Sequence, residues 1–111
     1  MKKDRPEILN SKTTKIPTGH GNLYITITEQ EGKPFEVFAT IGKSGGSIMA
    51  KAEVTGRLVS LALRHDINII DIVKQLTDIS GSQPVAYKDG LVKSIPDAVG
   101  KVLSKYIIKE D

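Results

Sequence analysis

The stretch Ile41–His65, IGKSGGSIMAKAEVTGRLVSLALRH, opens with a glycine-rich turn, Gly42-Lys43-Ser44-Gly45-Gly46-Ser47, and runs without proline into the longest helical pattern of the chain. It predicts a loop feeding a helix. The first N–H groups of a helix have no intrahelical acceptor and sit at the positive end of its dipole, so this junction suits an anion. Lys43 adds a full positive charge beside it, and Ser47 is the expected N-cap. The stretch is not a Walker loop, because Val37 stands where that motif needs its first glycine. Two readings stay open: a phosphate cradle, or glycines that only let a strand turn sharply and pack against its helix.

Within the helix, Val54, Leu58, Leu61 and Ala62 recur with a period near 3.6, joined on the flank by Ile48, Ala52, Val59 and Leu63. Glu53, Arg57, Ser60 and Arg64 line the other side. A stripe that wide is expected to be buried against a sheet or shared with a partner. An interior glycine costs roughly 1 kcal/mol relative to alanine, so Gly56 suggests close approach by another backbone.

Before this stretch the pattern has period two. Leu23, Ile25 and Ile27 alternate with Tyr24, Thr26 and Thr28, and Phe35, Val37, Ala39 and Ile41 alternate with Glu36, Phe38 and Thr40. With Gln30–Pro34 as the connection they predict an antiparallel hairpin. Thr18-Gly19-His20-Gly21-Asn22 marks another turn. Residues 1–15 read as an extended arm or linker with room for a short edge strand, ahead of one domain over 16–111.

After it, Asn68 caps a short helix whose contacts come from Ile69, Ile70, Val73 and Leu76. Val85-Ala86-Tyr87 and Leu91-Val92 around Asp89-Gly90 form a small hairpin. A last helix starts at Ser94-Ile95-Pro96-Asp97 and carries Val99, Val102, Leu103, Tyr106 and Ile107 as its stripe. The fold class is α+β: an antiparallel sheet, a long helix, a short helix, a small hairpin and a C-terminal helix.

Composition narrows the function. A chain of 111 residues suits a single core. Sixteen basic residues nearly match thirteen acidic ones, so the net charge of +3 favours anionic partners only weakly. There is no basic run of the kind that grips DNA, and five aromatic residues are too few for a single-strand stacking platform. The lack of cysteine excludes disulfides and thiolate zinc sites and fits a reducing interior. The polar amino terminus is not a signal peptide, no apolar run reaches membrane length, and the expected location is the cytoplasm.

Four stretches together resemble the TSCPD domain, which occurs at the carboxyl end of adenosylcobalamin-dependent ribonucleotide reductases and as small separate proteins. They are Arg5-Pro6-Glu7-Ile8-Leu9 with Lys12-Thr13; Thr18-Gly19-His20-Gly21-Asn22-Leu23-Tyr24; Pro34-Phe35-Glu36-Val37-Phe38 with the glycine loop; and Ser94-Ile95-Pro96-Asp97-Ala98. Family members carry cysteines in these motifs, where this chain has His20, Ser47 and Ile95. Thiol and metal roles therefore do not transfer, and neither does catalysis, since the reductase barrel and its cobalamin site are not in this sequence. The resemblance implies the scaffold and its glycine loop.

From these readings the expected ligand site comprises Lys43, Ser44, Gly45, Gly46 and Ser47, with Arg57 and Arg64 as a phosphate-recognising rim and Tyr24 or Tyr87 covering a base. Arg57 also reads as the partner of Glu53 on a solvated face. His20 and His65 read as turn and helix-end residues, and two histidines make no metal set. No catalytic group, metal or cofactor is expected. The leading expectation is a non-enzymatic, oligomeric binding protein for a nucleotide or other phosphorylated ligand, of the sort that small phage-encoded sponges use to sequester a nucleotide signal. The alternative is an accessory domain docking on a ribonucleotide reductase subunit.

Overall fold

A computed structural model describes residues 2–88 and 90–107. Three strands, β1 (Asn10–Thr18), β2 (Gly21–Gln30) and β3 (Lys33–Ile41), form an antiparallel sheet in the order β1-β2-β3. The period-two pattern is obeyed. Leu23, Ile25, Ile27, Phe35, Val37, Ala39 and Ile41 are buried, whereas Tyr24 and Phe38 are exposed. The β2–β3 turn is tighter than five residues. Glu31 and Gly32 alone make it, both at positive φ, the geometry that matches strand twist, and Pro34 already belongs to β3. β1 occupies the second half of the stretch read as an arm, pairing from Asn10 with Glu29 to Thr18 with Gly21.

The rest of the arm is fastened to the body. Arg5 Nε donates to both carboxylate oxygens of Glu36, at 3.0 and 3.2 Å, and the Thr28 hydroxyl donates to the same carboxylate. Glu36, which strand alternation places on the solvent side, is therefore buried beneath the arm. Farther out, the Lys3 N–H donates to the Arg64 carbonyl, and the Arg64 guanidinium returns two bonds to the Lys3 carbonyl.

Helix α1 (Gly46–Arg64) packs along β3. Its orientation differs from the one its strongest apolar stripe predicts: Val54, Leu58 and Leu61 are 49%, 61% and 46% exposed, and the inward residues are Ala52, Thr55, Gly56, Val59 and Leu63. The reason is the closeness of helix and strand. A Cβ on Gly56 would lie 2.9 Å from the Val37 carbonyl oxygen, so only small side chains fit the seam. Ser60 is part of it rather than of a solvated face: its hydroxyl accepts from the Val37 N–H at 2.8 Å and donates to the Val37 carbonyl at 3.0 Å. Close backbone contact therefore decides which side of α1 faces in, and the larger branched residues at 54, 58 and 61 are turned out.

Helix α2 (Ile69–Leu76) is capped by Asn68, whose side chain accepts from the Ile70 N–H. It buries Ile72 and Val73, with Ile72 taking the place expected of Ile70. The short strands β4 (Val85–Tyr87) and β5 (Gly90–Val92) pair antiparallel, and the turn residue Asp89 lies outside the described residues. Helix α3 (Ile95–Leu103) starts as expected, the Ser94 hydroxyl accepting from the Asp97 N–H and Pro96 standing in the first turn. Tyr106 belongs to a following 3₁₀ turn, Ser104–Tyr106. α3 and α1 share the core with the inner sheet face. Among the described residues, no helix is long and apolar enough to cross a membrane.

Candidate functional site

β3 ends at Ile41, and Gly42 to Gly45 carry the chain over to α1. The N-cap is Gly45, with extended φ and ψ and no side-chain cap bond, so Ser47 is the second residue of the helix and not its cap. The correction has a local cause. The Gly45 carbonyl already accepts from the N–H groups of Ile48 and Met49, which sets the first turn two residues earlier than Ser47 would. The Gly46 and Ser47 N–H groups are left without an intrahelical acceptor or a capping side chain.

None of the loop glycines is needed for packing or for backbone conformation. A Cβ at Gly42, Gly45 or Gly46 would meet nothing within 4 Å, and none of the three has positive φ. Lys43 is exposed and, among the described residues, has no ion-pair partner. The first turn of α1 holds no acidic residue. The positive potential of the helix start is therefore neither capped nor neutralised locally.

The expected rim does not close on one point. Over the 19 residues of α1, at about 1.5 Å of rise each, Arg64 stands about 27 Å from the loop and Arg57 about 16 Å. Arg64 holds the arm and lies over the Phe35 ring, 5.4 Å from its centroid. Arg57 pairs with Glu53 at 3.2 Å on an exposed surface. Tyr24 is close to the loop, opposite Thr40 on the outer sheet face. Tyr87 is not: it sits on β4, which packs beside β1 at the other edge, with the Lys88 ammonium 5.2 Å over its ring.

Arg57 and Arg64 share instead a groove of about 670 Å³ between α1 and the outer side of β3, lined also by Phe38, Met49, Glu53 and Leu61. Its Met49 and Ile41 end adjoins the glycine loop. The outward position of Phe38 is readable from strand alternation, but the groove beside it depends on the turned orientation of α1. A second cavity, of about 550 Å³, is bordered by Lys12, Glu29, Lys105 and Tyr106. There the Tyr106 hydroxyl donates to Glu29. That bond, assisted by Lys12, holds the Glu29 carboxyl below its usual range, while burial and then the same carboxylate push Tyr106 up to about 12.

His20 lies in the β1–β2 turn, its N–H donating to Thr18 Oγ1, and His65 is the C-cap of α1. The Asp97 carboxylate is fully buried and accepts from the backbone N–H groups of Asp78 and Lys93, at 2.8 and 2.9 Å. It ties the α2–β4 connection to the start of α3, a role that its position in a first helical turn does not disclose.

These positions draw on the same motifs that suggested a family: the turn at Gly19-His20, the Glu36 anchor, the glycine loop and the capped start of α3. A family model for the TSCPD domain matches residues 1–107. The chain belongs to the TSCPD domain family. No curated protein and no solved structure matches it. Within this TSCPD domain the family motifs divide by use. Arg5 with Glu36, and Ser94 with Asp97, hold the fold together, whereas Gly42–Ser47 contributes an exposed loop to it.

Proposed function

We propose that this TSCPD domain is a non-enzymatic binding protein that holds a nucleotide or other phosphorylated ligand at the Gly42–Ser47 loop. The observation that carries the reading is the open space around Gly42, Gly45 and Gly46, which removes the packing explanation for the glycines. What the glycines do provide is access to the uncapped Gly46 and Ser47 amides, with Lys43 alongside. Tyr24 and the groove toward Arg57 supply room and contacts for the rest of such a ligand. Engagement of the buried Asp97 carboxylate by two backbone amides supports binding rather than catalysis. In a cytoplasmic setting, an oligomeric protein of this kind would act by sequestering a nucleotide signal. Calorimetry against mononucleotides and cyclic dinucleotides tests it: saturable binding that weakens in Lys43→Ala is expected, and no heat with any of them at millimolar concentration overturns it.

A second reading, as an accessory domain docking on an adenosylcobalamin-dependent ribonucleotide reductase, rests on family membership. Copurification with a tagged chain separates the two, since recovery of a reductase subunit is expected only for the second.

A further inference from the structure

The segment ahead of β1 is held to the body by a different kind of contact from the rest of the chain. Its fastenings are polar: the Lys3 N–H on the Arg64 carbonyl at 2.9 Å, the Arg64 guanidinium on the Lys3 carbonyl at 3.1 and 2.8 Å, and the Arg5 guanidinium on the Glu36 carboxylate. Lys3 Nζ adds an ion pair with Asp66, at 2.7 Å, between two largely exposed side chains. No apolar side chain of residues 2–8 is buried. Ile8 is 84% exposed, and among the described residues the hydrophobic core takes its first member at Ile16.

The groups beneath the segment keep partners without it. Glu36 retains the Thr28 hydroxyl, and Arg64 retains its place over the Phe35 ring. The bonds from Arg5 Nη1 to the Pro6 and Glu7 carbonyls are internal to the segment and travel with it. Lifting residues 2–8 away therefore admits water to charged groups and leaves the core covered. The balance is fine, because exposed ion pairs contribute little and are screened by salt, whereas fixing the backbone costs entropy at every residue.

We propose that residues 2–8 form an ionic strap that opens as one unit while the body stays folded, and that its closed form is an autoinhibitory contact on Arg64. Closed, the strap spends Nε and Nη2 of Arg64 on the Lys3 carbonyl, and with Lys2 it walls one end of the groove between α1 and β3. Open, it returns that fork to the groove, two helical turns from Arg57 on the same helix, and lengthens the groove past Glu36. Salt is the lever: it weakens the fastenings of the strap and has little hold on the buried contacts of the body. The strap does not depend on any ligand at the glycine loop.

The test is amide hydrogen exchange of the full chain, followed by NMR. The Lys3 N–H reports the strap, and the Val37 N–H, bonded to the Ser60 hydroxyl, reports the body. Raising sodium chloride from about 20 mM to about 0.5 M shortens the screening length from roughly 20 Å to roughly 4 Å. Protection at Lys3 should fall at least about fivefold and protection at Val37 less than about twofold. Arg5→Ala, two residues along the strap, should lower protection at Lys3 by a similar factor if the strap moves as a unit. Asp66→Asn, at an exposed side chain that the fold does not use, should do the same at low salt and shift the Arg64 Nε–H resonance in the direction that salt shifts it. An unprotected Lys3 amide at low salt, insensitivity of that amide to salt or to Arg5→Ala, or parallel loss of protection at Lys3 and Val37 would each overturn the proposal.

Discussion

At Gly56 one added carbon would come within 2.9 Å of the Val37 carbonyl, whereas at Gly42, Gly45 and Gly46 it would meet nothing within 4 Å. The same residue type thus serves opposite purposes in one helix and the loop that leads into it. In the middle of α1, glycine exists for the fold: it lets helix and strand backbones touch, and Ser60 completes the seam with two hydrogen bonds to Val37. At the start of α1, glycine exposes amides that the fold leaves unused. A glycine-rich sequence is therefore not evidence of a site, nor of packing, until the space around each glycine is known.

The sharpest way to break the comparison is Gly56→Ala. The obstructing atom is a strand carbonyl, which cannot swing aside as a side-chain end can, so the loss should lie at the upper end of the overpacking range, about 3 kcal/mol. Thermal melts read it, and an unchanged midpoint would mean that α1 does not ride on β3 as closely as described. Ser60→Ala comes next. It leaves the Val37 N–H and carbonyl unpaired in a half-buried seam, with an expected loss of about 2 kcal/mol in urea denaturation.

The helix start should respond in binding and not in stability. Lys43→Ala is expected to weaken nucleotide affinity at least tenfold, about 1.5 kcal/mol, while the melting curve of the free protein stays in place. Calorimetry and melts together check it, and intact affinity would leave the loop without a ligand role. The smallest effects belong to Gly46→Ala and Ser47→Ala. With Gly45 as the cap, Ser47→Ala should change stability by less than about 0.5 kcal/mol, and Gly46→Ala should raise it by about as much, since alanine is the better helix former. A clear loss in either would mean that the loop packs against something after all.

What could be read in the sequence was local. Strand alternation in Leu23, Ile25 and Ile27 identifies the buried sheet face because side-chain direction there is fixed by the backbone alone. Asn68 was legible as a cap because a cap and its amide are neighbours in the chain. The orientation of α1 was not legible, because hydrophobicity favours Val54, Leu58 and Leu61 while steric closeness favours Ala52, Thr55 and Gly56, and no sequence pattern ranks the two. Burial of Glu36 depends on Arg5, 31 residues away. For the candidate site, the glycine loop is legible from its residues, whereas the places of Arg64 and Tyr87 are set by the arm and by the β4–β5 hairpin, contacts that the local sequence does not disclose.

The hydroxyl of Ser60 has one more effect. The outermost strand of a sheet normally offers a row of free amides and carbonyls on which further strands can grow, the first step toward fibres. On β3 that row is interrupted at Val37, where the Ser60 hydroxyl takes both groups and the α1 backbone lies on the strand beside them. The other rim, β1, carries Lys12, Lys15 and Pro17, which discourage strand addition by charge and by a missing N–H. A small antiparallel sheet that would otherwise template its own aggregation is thus shielded at both margins, and Ser60→Ala, monitored with an amyloid-sensitive dye, is where loss of that protection should first be seen.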